Sequence, residues 1–523
     1  MFPAFFTVAL ATLLGAFFIY SDQDLASCGA NLVSTSLSVA NLKYMWQGNY
    51  FAISPDAQPF LHYWSLSVEE QFYMVFPTTL LLLYLKANRY KAVILGALCG
   101  ASLVACVALT PTKPEWAFYL LPTRAWELLA GSILANLRAD HLAADNRKVL
   151  LSWTGLALIA ISLLAIHEGP TFPGFCAILP VLGTVCFLGS EGAGSWPERL
   201  LSTRPVVLIG QASYSLYLWH WPVFSLVDYK LYLVSPLVRI GLKVALSVAV
   251  SALCFFFIES PGRVFLNHTR RRSLAFAFLT CALVVCVPLG TAIRRTNYID
   301  AGTQSIAQGG IVFNLASTNG SMVLMGDSNG SMYGKMAKEI AQALRLKLYV
   351  ISVAAGDPLP HLSGPSPQLW LDSLTFVKRE NSDVLVLVCN WESKLKGEKG
   401  RLGIAINELK QHTRRLILIT QPPELPKSAD RDSMRNGSRP PFMEDPAERT
   451  ARIESSAFLK SFQRDNVIII DIEPLFVGRE GSIRFADDKG ILLYQDRSHL
   501  SDVGADLVKA DVIRAISELK RGH

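Results

Sequence analysis

Long apolar stretches fill the chain up to about residue 293, and shorter apolar runs separated by helix-periodic polar stretches fill the remainder. Nine stretches in the first part approach the ~20 residues that a helix needs to cross a hydrocarbon core. They cover about 2–20, 70–86, 92–110, 117–137, 149–166, 172–189, 206–227, 236–258 and 274–293. From residue 321 the period changes. Runs at 321–325, 348–353, 384–388, 416–419 and 467–470 read as strands, with helical stretches over about 330–344 and 502–519. Strands alternating with helices imply a parallel sheet covered on both faces, a three-layer arrangement. The pattern therefore predicts a multi-span α-helical membrane domain over 1–293, a polar linker over 294–320 and an α/β domain over 321–523.

Composition supports this division. Apolar residues make up 51% of the 523 residues, charged residues only 17%, and the mean hydropathy is +0.31, values that point to a membrane protein. The net charge of +7 does not indicate a nucleic-acid partner, because the basic residues gather in short loops between the apolar runs. Loops containing Lys86 and Arg89, Arg147 and Lys148, Arg199 and Arg204, and Arg263 alternate with loops holding only Lys43, Lys113 and Lys230. The positive-inside rule makes the basic set cytoplasmic and puts the C-terminal domain on the other, extracytoplasmic side. The first run, 2–20, lacks a basic leader region and is long enough to span, so it reads as a span and not as a cleavable signal. The nine cysteines form no CxxC or Cys/His metal spacing, and Cys389 stands alone in the polar half. Neither a metal site nor a structural disulfide is predicted.

Ionisable residues inside spans are costly and mark functional candidates. Arg124 and Glu127 are three apart and share a helix face, which suits an ion pair locking two helices as well as a functional pair. His220 sits among aromatic residues in the stretch from Tyr214 to Pro222; His62 opens a stretch that continues through Glu69, Glu70 and Gln71. The two glutamates have a plain explanation in the dipole at a helix start. A His, two Glu and a Gln at a bilayer boundary also suit a polar cavity. Arg239 and Lys243, near the end of a span, are expected to snorkel.

In the polar half, Gly326-Asp327-Ser328 follows the first strand and precedes a helix, and Asp496 and His499 stand three apart before the last helix. Active sites of parallel sheets gather at the carboxyl ends of strands. This order suits Ser328 as nucleophile, His499 as general base then acid, and Asp496 as the group that orients the imidazole. Asn390, just past the 384–388 run, is a candidate side-chain donor to an oxyanion; Gly356 is a candidate backbone donor. The stretch 421–450, rich in Pro, Arg, Asp and Ser, reads as a lid or a flexible insertion.

Taken together, these residues resemble the acyltransferase 3 family of membrane acyltransferases fused to a C-terminal SGNH-type domain, the arrangement of bacterial O-antigen and lipopolysaccharide O-acetylases. The likeness rests on the stretches 62–73, 123–131, 213–222 and 258–263, and on Ser328, Asn390, Asp496 and His499. It implies an SGNH-hydrolase-like fold for the α/β domain. It also implies transfer of an acyl group, usually acetyl, from cytoplasmic acetyl-CoA across the bacterial inner membrane to a cell-surface glycan. Ser328 would carry the acyl group, Gly356 and Asn390 would hold the oxyanion, and no metal would take part. Family members usually begin with two further spans, the first bearing a histidine that serves in acyl transfer; against the eleven spans expected this chain shows nine, so either its start is misassigned or it is short by the first two. A membrane-tethered carbohydrate esterase with the same triad, and a non-catalytic transport or assembly protein, are the alternatives.

Overall fold

Each of the nine predicted spans overlaps helix in the computed structural model, with a break at Leu120 in the fourth and a non-helical start to the sixth; the structure describes residues 2–47, 57–138, 145–166, 169, 172–267, 272–297, 306–317, 319–429, 433–434, 438–488 and 490–518. Five helical stretches are long and apolar enough to cross a membrane by length and composition: Phe2–Ile19, Asn88–Leu109, Arg147–Ala165, Pro236–Leu266 and Ser273–Thr296. Three further helices, Tyr63–Lys86, Leu121–Arg138 and Arg204–Lys230, run to 24, 18 and 27 residues but are diluted by polar side chains. Those three carry Glu69, Glu70, Arg124, Glu127 and His220.

Two helices escape the hydropathy pattern, Asp22–Ser36 and Ala40–Gln47. Cys28, Leu32, Asn41 and Tyr44 are nonetheless buried. Asn41 Nδ2 donates to the Tyr119 carbonyl at 3.0 Å, and Gln71 Nε2 donates to the Ser38 carbonyl at 2.9 Å. Buried polar groups need such partners, so a segment of modest hydrophobicity can still be interior. Arg239 and Lys243 do not snorkel as expected: both pair with Asp228, at 3.0 and 2.8 Å. A carboxylate in reach satisfies the two cations without their extending to an interface.

The chain divides into two compact units. One comprises Met1–Ile19, Ser27–Lys230 and Val238–Ala292; the other comprises Tyr20–Ala26, Leu231–Leu237 and Ile293–His523. The second contains a six-stranded sheet in the order β1-β3-β2-β4-β5-β7. Its strands are β1 (Ile311–Phe313), β2 (Ser321–Gly326), β3 (Lys347–Ser352), β4 (Ser382–Val388), β5 (Thr413–Ile419) and β7 (Val467–Ile470), and a separate two-residue ribbon pairs β6 (Phe442–Met443) with β8 (Ser482–Ile483). All pairs in the main sheet are parallel except β1 with β3. β1 falls inside the stretch read as linker: three residues with a turn residue on either side are too short to announce a strand, and only pairing with β3 makes them one.

Every residue of β2 is buried, as a strand covered on both faces requires. Alternate side chains go to opposite cores. Met322, Leu324, Val384, Val386 and Ile417 join one; Val323, Met325, Leu385, Leu387 and Leu416 join the other. Gly326 pairs in register with both Ser352 of β3 and Val388 of β4, so these three strands end level. β2 lies between β3 and β4, and the chain therefore switches sides across it. The crevice at such a switch point is where ligands of open parallel sheets bind.

The stretch 421–450 is not a flexible insertion where it is described. Gln421, Pro422, Pro423, Leu425, Ala429, Met434 and Phe442 are buried, several of them in the core that also holds Met322 and Leu324. Its Pro-rich polar composition reflects an irregular path over the core, which composition alone does not separate from disorder.

Candidate active site

Three level strand ends deliver three loops to one edge of the sheet. β2 leads into Asp327 and Ser328, and β4 into Cys389 and Asn390. Glycine is required at 326, since a Cβ there would lie 1.9 Å from the Val388 carbonyl oxygen. Asp327 caps the short helix Ser328–Ser331. One of its carboxylate oxygens accepts from the Asn329 N–H at 2.8 Å and the other from the Asn390 N–H at 3.0 Å. A single buried carboxylate thus ties the β2 and β4 loops together. Burial pushes this carboxyl up from the ordinary range, against the N–H donors of Asn390 and Asn329.

His499 reaches this edge from the far end of the chain. Its Nε2 lies 2.8 Å from Ser328 Oγ, and its Nδ1 lies 2.9 and 2.8 Å from the two Asp496 oxygens. The Asp496-x-x-His499 loop is largely self-organised: Asp496 Oδ1 also accepts the N–H groups of Ser498 and His499, each at 2.9 Å. A bridge between Tyr494 and Leu500 closes the loop. The Leu500 N–H donates to Met332 Sδ at 3.2 Å, linking this loop to the turn that follows Ser328. The hydrogen bond from Asp496 and its charge raise the His499 pKa against the effect of burial. Burial pushes Asp496 up, but the His499 hydrogen bond and charge, with the two N–H donors, outweigh it and hold the carboxyl below its usual value.

Asn390 keeps its Oδ1 on the Ser393 N–H at 3.0 Å, as the cap of the helix Trp391–Leu395. That contact uses the acceptor and leaves Nδ2 to donate. Gly356 does not fit the expected role. Its N–H donates to the Val353 carbonyl at 3.0 Å inside a tight turn, with Ala355 at a φ of 58°, so the donor is already engaged. The Ser328 backbone N–H, at the first turn of its helix, has no partner among the described residues.

Four of the six candidates of the membrane unit, all but Glu69 and Glu70, fall into two groups. His62 is buried, and its ring lies 5.6 Å from that of His220, edge to face. Tyr217 OH donates to the His62 carbonyl at 2.7 Å, and His220 Nδ1 meets the Tyr217 carbonyl at 2.7 Å. The second group is Arg124 and Glu127, paired at 3.0 Å, with the guanidinium 5.5 Å above the Trp64 ring and 5.7 Å from that of Phe118. These two residues also border a cavity of 420 Å³ lined by Leu128, Phe172, Pro180 and Leu188. Among the described residues no hydrogen bond or ion pair joins Glu69 or Glu70 to either group. Asp327, Tyr217 and Glu259 lie within the stretches 326–328, 213–222 and 258–263, but the partners of these side chains are not legible there. Glu259 is buried, accepts from Ser215 Oγ at 2.6 Å and pairs with Arg263. An acidic residue inside an apolar stretch was the available signal for it.

Two family models match the chain. Residues 2–256 match the acyltransferase 3 family, described as an acyltransferase domain, and residues 300–514 match the SGNH domain described as fused to AT3 domains. The peptidoglycan O-acetyltransferase OatA of Listeria monocytogenes is 26% identical over 286 residues, 51% of this chain and 46% of that protein. The putative membrane-bound transacylase BcsY of Komagataeibacter xylinus is 26% identical over 294 residues, 56% of this chain and 73% of that protein. The putative peptidoglycan O-acetyltransferase YrhL of Bacillus subtilis is 27% identical over 289 residues, 52% of this chain and 45% of that protein. The chain thus spans about half the length of the Listeria and Bacillus relatives. The solved periplasmic domain of a lipopolysaccharide acetyltransferase from Salmonella ser. Paratyphi A is similar at a TM-score of 0.30 and 15% identity, over 40% of this chain and 93% of that one.

Proposed function

The chain belongs to the acyltransferase 3 family in its SGNH-fused form, and on that premise we propose that it is a membrane O-acetyltransferase. It takes an acetyl group from cytoplasmic acetyl-CoA and delivers it to a hydroxyl of a cell-surface polysaccharide. The chain resides in the bacterial inner membrane, with 1–293 as the membrane domain and the SGNH-type domain from 321 onward extracytoplasmic. His62, Glu69, Glu70, Arg124, Glu127 and His220 belong to the donor-handling side.

In the final transfer, Ser328 Oγ attacks the acyl carbonyl while His499 Nε2 takes its proton. Asp496 stabilises the imidazolium and fixes its tautomer. The Ser328 N–H and Asn390 Nδ2 hold the oxyanion. Collapse forms an ester on Ser328 and returns the proton to the departing group. The sugar hydroxyl then attacks that ester, His499 again taking and returning one proton, and the acetylated glycan leaves.

The observation that carries this reading is the 2.8 Å approach of His499 Nε2 to Ser328 Oγ with Asp496 on the opposite ring nitrogen. Labelled acetyl-CoA supplied to membranes holding the full chain tests it. Label reaches the glycan with the parent chain and not with Ser328→Ala; transfer undiminished by that substitution sinks the proposal.

A further inference from the structure

The chemistry above makes no use of Arg497, which stands inside the Asp496-x-x-His499 loop. Its backbone and side chain meet the strap after β5 at several points. The Leu425 N–H donates to the Arg497 carbonyl at 2.9 Å, and Arg497 Nε donates to the Leu425 carbonyl at 2.8 Å. Its Nη2 binds both carboxylate oxygens of Glu448 and lies 3.8 Å from Glu424. Glu448 sits in the first turn of the helix Pro446–Lys460, capped by Asp445. Arg452 anchors that helix through a buried pair with Glu444 at 2.8 Å and a second contact with Glu473 at 3.4 Å. Beside these, Tyr494 OH donates to the Pro423 carbonyl at 2.9 Å.

The backbone of the loop does not itself call for arginine at 497. A half-buried loop position takes many polar residues; a planar guanidinium that serves a carbonyl and a carboxylate together does not have a full substitute in lysine. We propose that Arg497 is a positioning residue, whose ion pair with Glu448 and bond to Leu425 hold the Asp496–His499 pair within reach of Ser328. The inference rests on the reading of Ser328 as nucleophile. Displacing a base by about 1 Å costs roughly 100-fold in rate, so a clamp on this loop acts on kcat more than on binding.

The clamp has an electrostatic signature. The charged groups facing His499 are Asp496 on its own loop, Asp327 at the end of β2 and Glu424 on the strap. All are acidic, and Arg497 is the cation paired with Glu424 and Glu448. Without Arg497 these carboxylates hold the His499 proton more tightly, and the acid limb of the rate profile moves to higher pH. Removing the Glu448 charge moves it to lower pH. A role confined to folding gives no such opposed shifts.

Hydrolysis of 4-nitrophenyl acetate by the full chain in membranes, followed across pH, tests the proposal. Arg497→Ala lowers kcat about 10- to 100-fold with KM little changed and raises the acid limb. Glu448→Gln lowers kcat and depresses that limb. Arg497→Lys retains part of the rate, and the Arg497→Ala/Glu448→Ala double variant loses no more than the worse single one. Thermal unfolding identifies any variant that fails to fold, for which Arg497→Lys and Glu448→Gln stand in. Parent kcat and pH profile in both Arg497 variants, or additive losses in the double variant, overturn the clamp. Undiminished hydrolysis by Ser328→Ala overturns the nucleophile instead.

Discussion

Two histidine centres stand in the two units, and they are built differently. In the α/β unit, His499 has a carboxylate on one ring nitrogen and a hydroxyl on the other. In the membrane unit, His220 leans on the neutral carbonyl of Tyr217, and the buried His62 lies edge to face against its ring. A carboxylate orients an imidazole and also compensates the charge it gains when it takes a proton; a carbonyl only orients it. The first arrangement is thus equipped for general base catalysis within the described residues. The second is a pair of neighbouring rings to which, among the described residues, no acidic group is joined by a hydrogen bond. What distinguishes them is the compensating charge, a feature that the identity of the histidines does not reveal.

The sharpest way to break the comparison is Ser328→Ala. Loss of the nucleophile lowers hydrolysis of 4-nitrophenyl acetate by about 10³-fold or more, roughly 4 kcal/mol of transition-state stabilisation; a smaller loss places the reactive group elsewhere. Asn390→Ala follows, with an expected fall in kcat of about 10²-fold, whereas Gly356→Ala, whose N–H is already engaged, disturbs packing against Leu369 and spares kcat. Undiminished kcat in Asn390→Ala would remove its side chain from the oxyanion role. Gly326→Ala forces a carbon against the Val388 carbonyl and costs about 2 kcal/mol of stability, visible as a lower unfolding midpoint without a change in the mechanism of any molecules that fold.

The pH dependence is smaller and tests the compensating charge directly. Because His499 is raised from its usual value by Asp496, activity rises with pH only above the ordinary histidine pKa of about 6.5. Asp496→Asn brings that limb down as it lowers kcat. The sign for stability is opposite: a raised histidine contributes stability that is complete below its unfolded pKa and is lost as pH rises through its folded one. Activity and this contribution to stability therefore trend against each other across the same window, which rate profiles and unfolding curves at matched pH resolve. Finally, His220→Ala is expected to reduce transfer from acetyl-CoA far more than hydrolysis of the small ester; equal reductions would remove the functional separation of the two centres.

Much of the site is legible in the chain because it is local. A buried strand, a tight turn that only glycine permits and a helix start place Ser328 by sequence neighbours alone. Asp496 and His499 meet through three residues of loop, with Asp496 accepting the loop's own N–H groups. The engagement of the Gly356 N–H by Val353 is not legible, because a backbone N–H carries no mark in the sequence of where it donates. β1 and the helices Asp22–Ser36 and Ala40–Gln47 went unseen because their apolar patterns are too short or too diluted to stand out, and partners far along the chain supply what they lack.

By itself, then, the amino-acid order determined the apolar helices, the alternation that makes a doubly covered sheet and the two short motifs proposed to carry the chemistry, since each depends on side chains within a few residues of one another. Tertiary structure alone decided that Ser328 and His499, 171 positions apart, stand at hydrogen-bonding distance. It also decided that Asp327 joins two strand ends, that the strap at 421–425 lies along the histidine loop, and that His62 faces His220. The physical reason is the same throughout: hydrogen bonds and ion pairs act over a few ångströms, and which distant segments come that close is settled by strand order and packing of the whole unit.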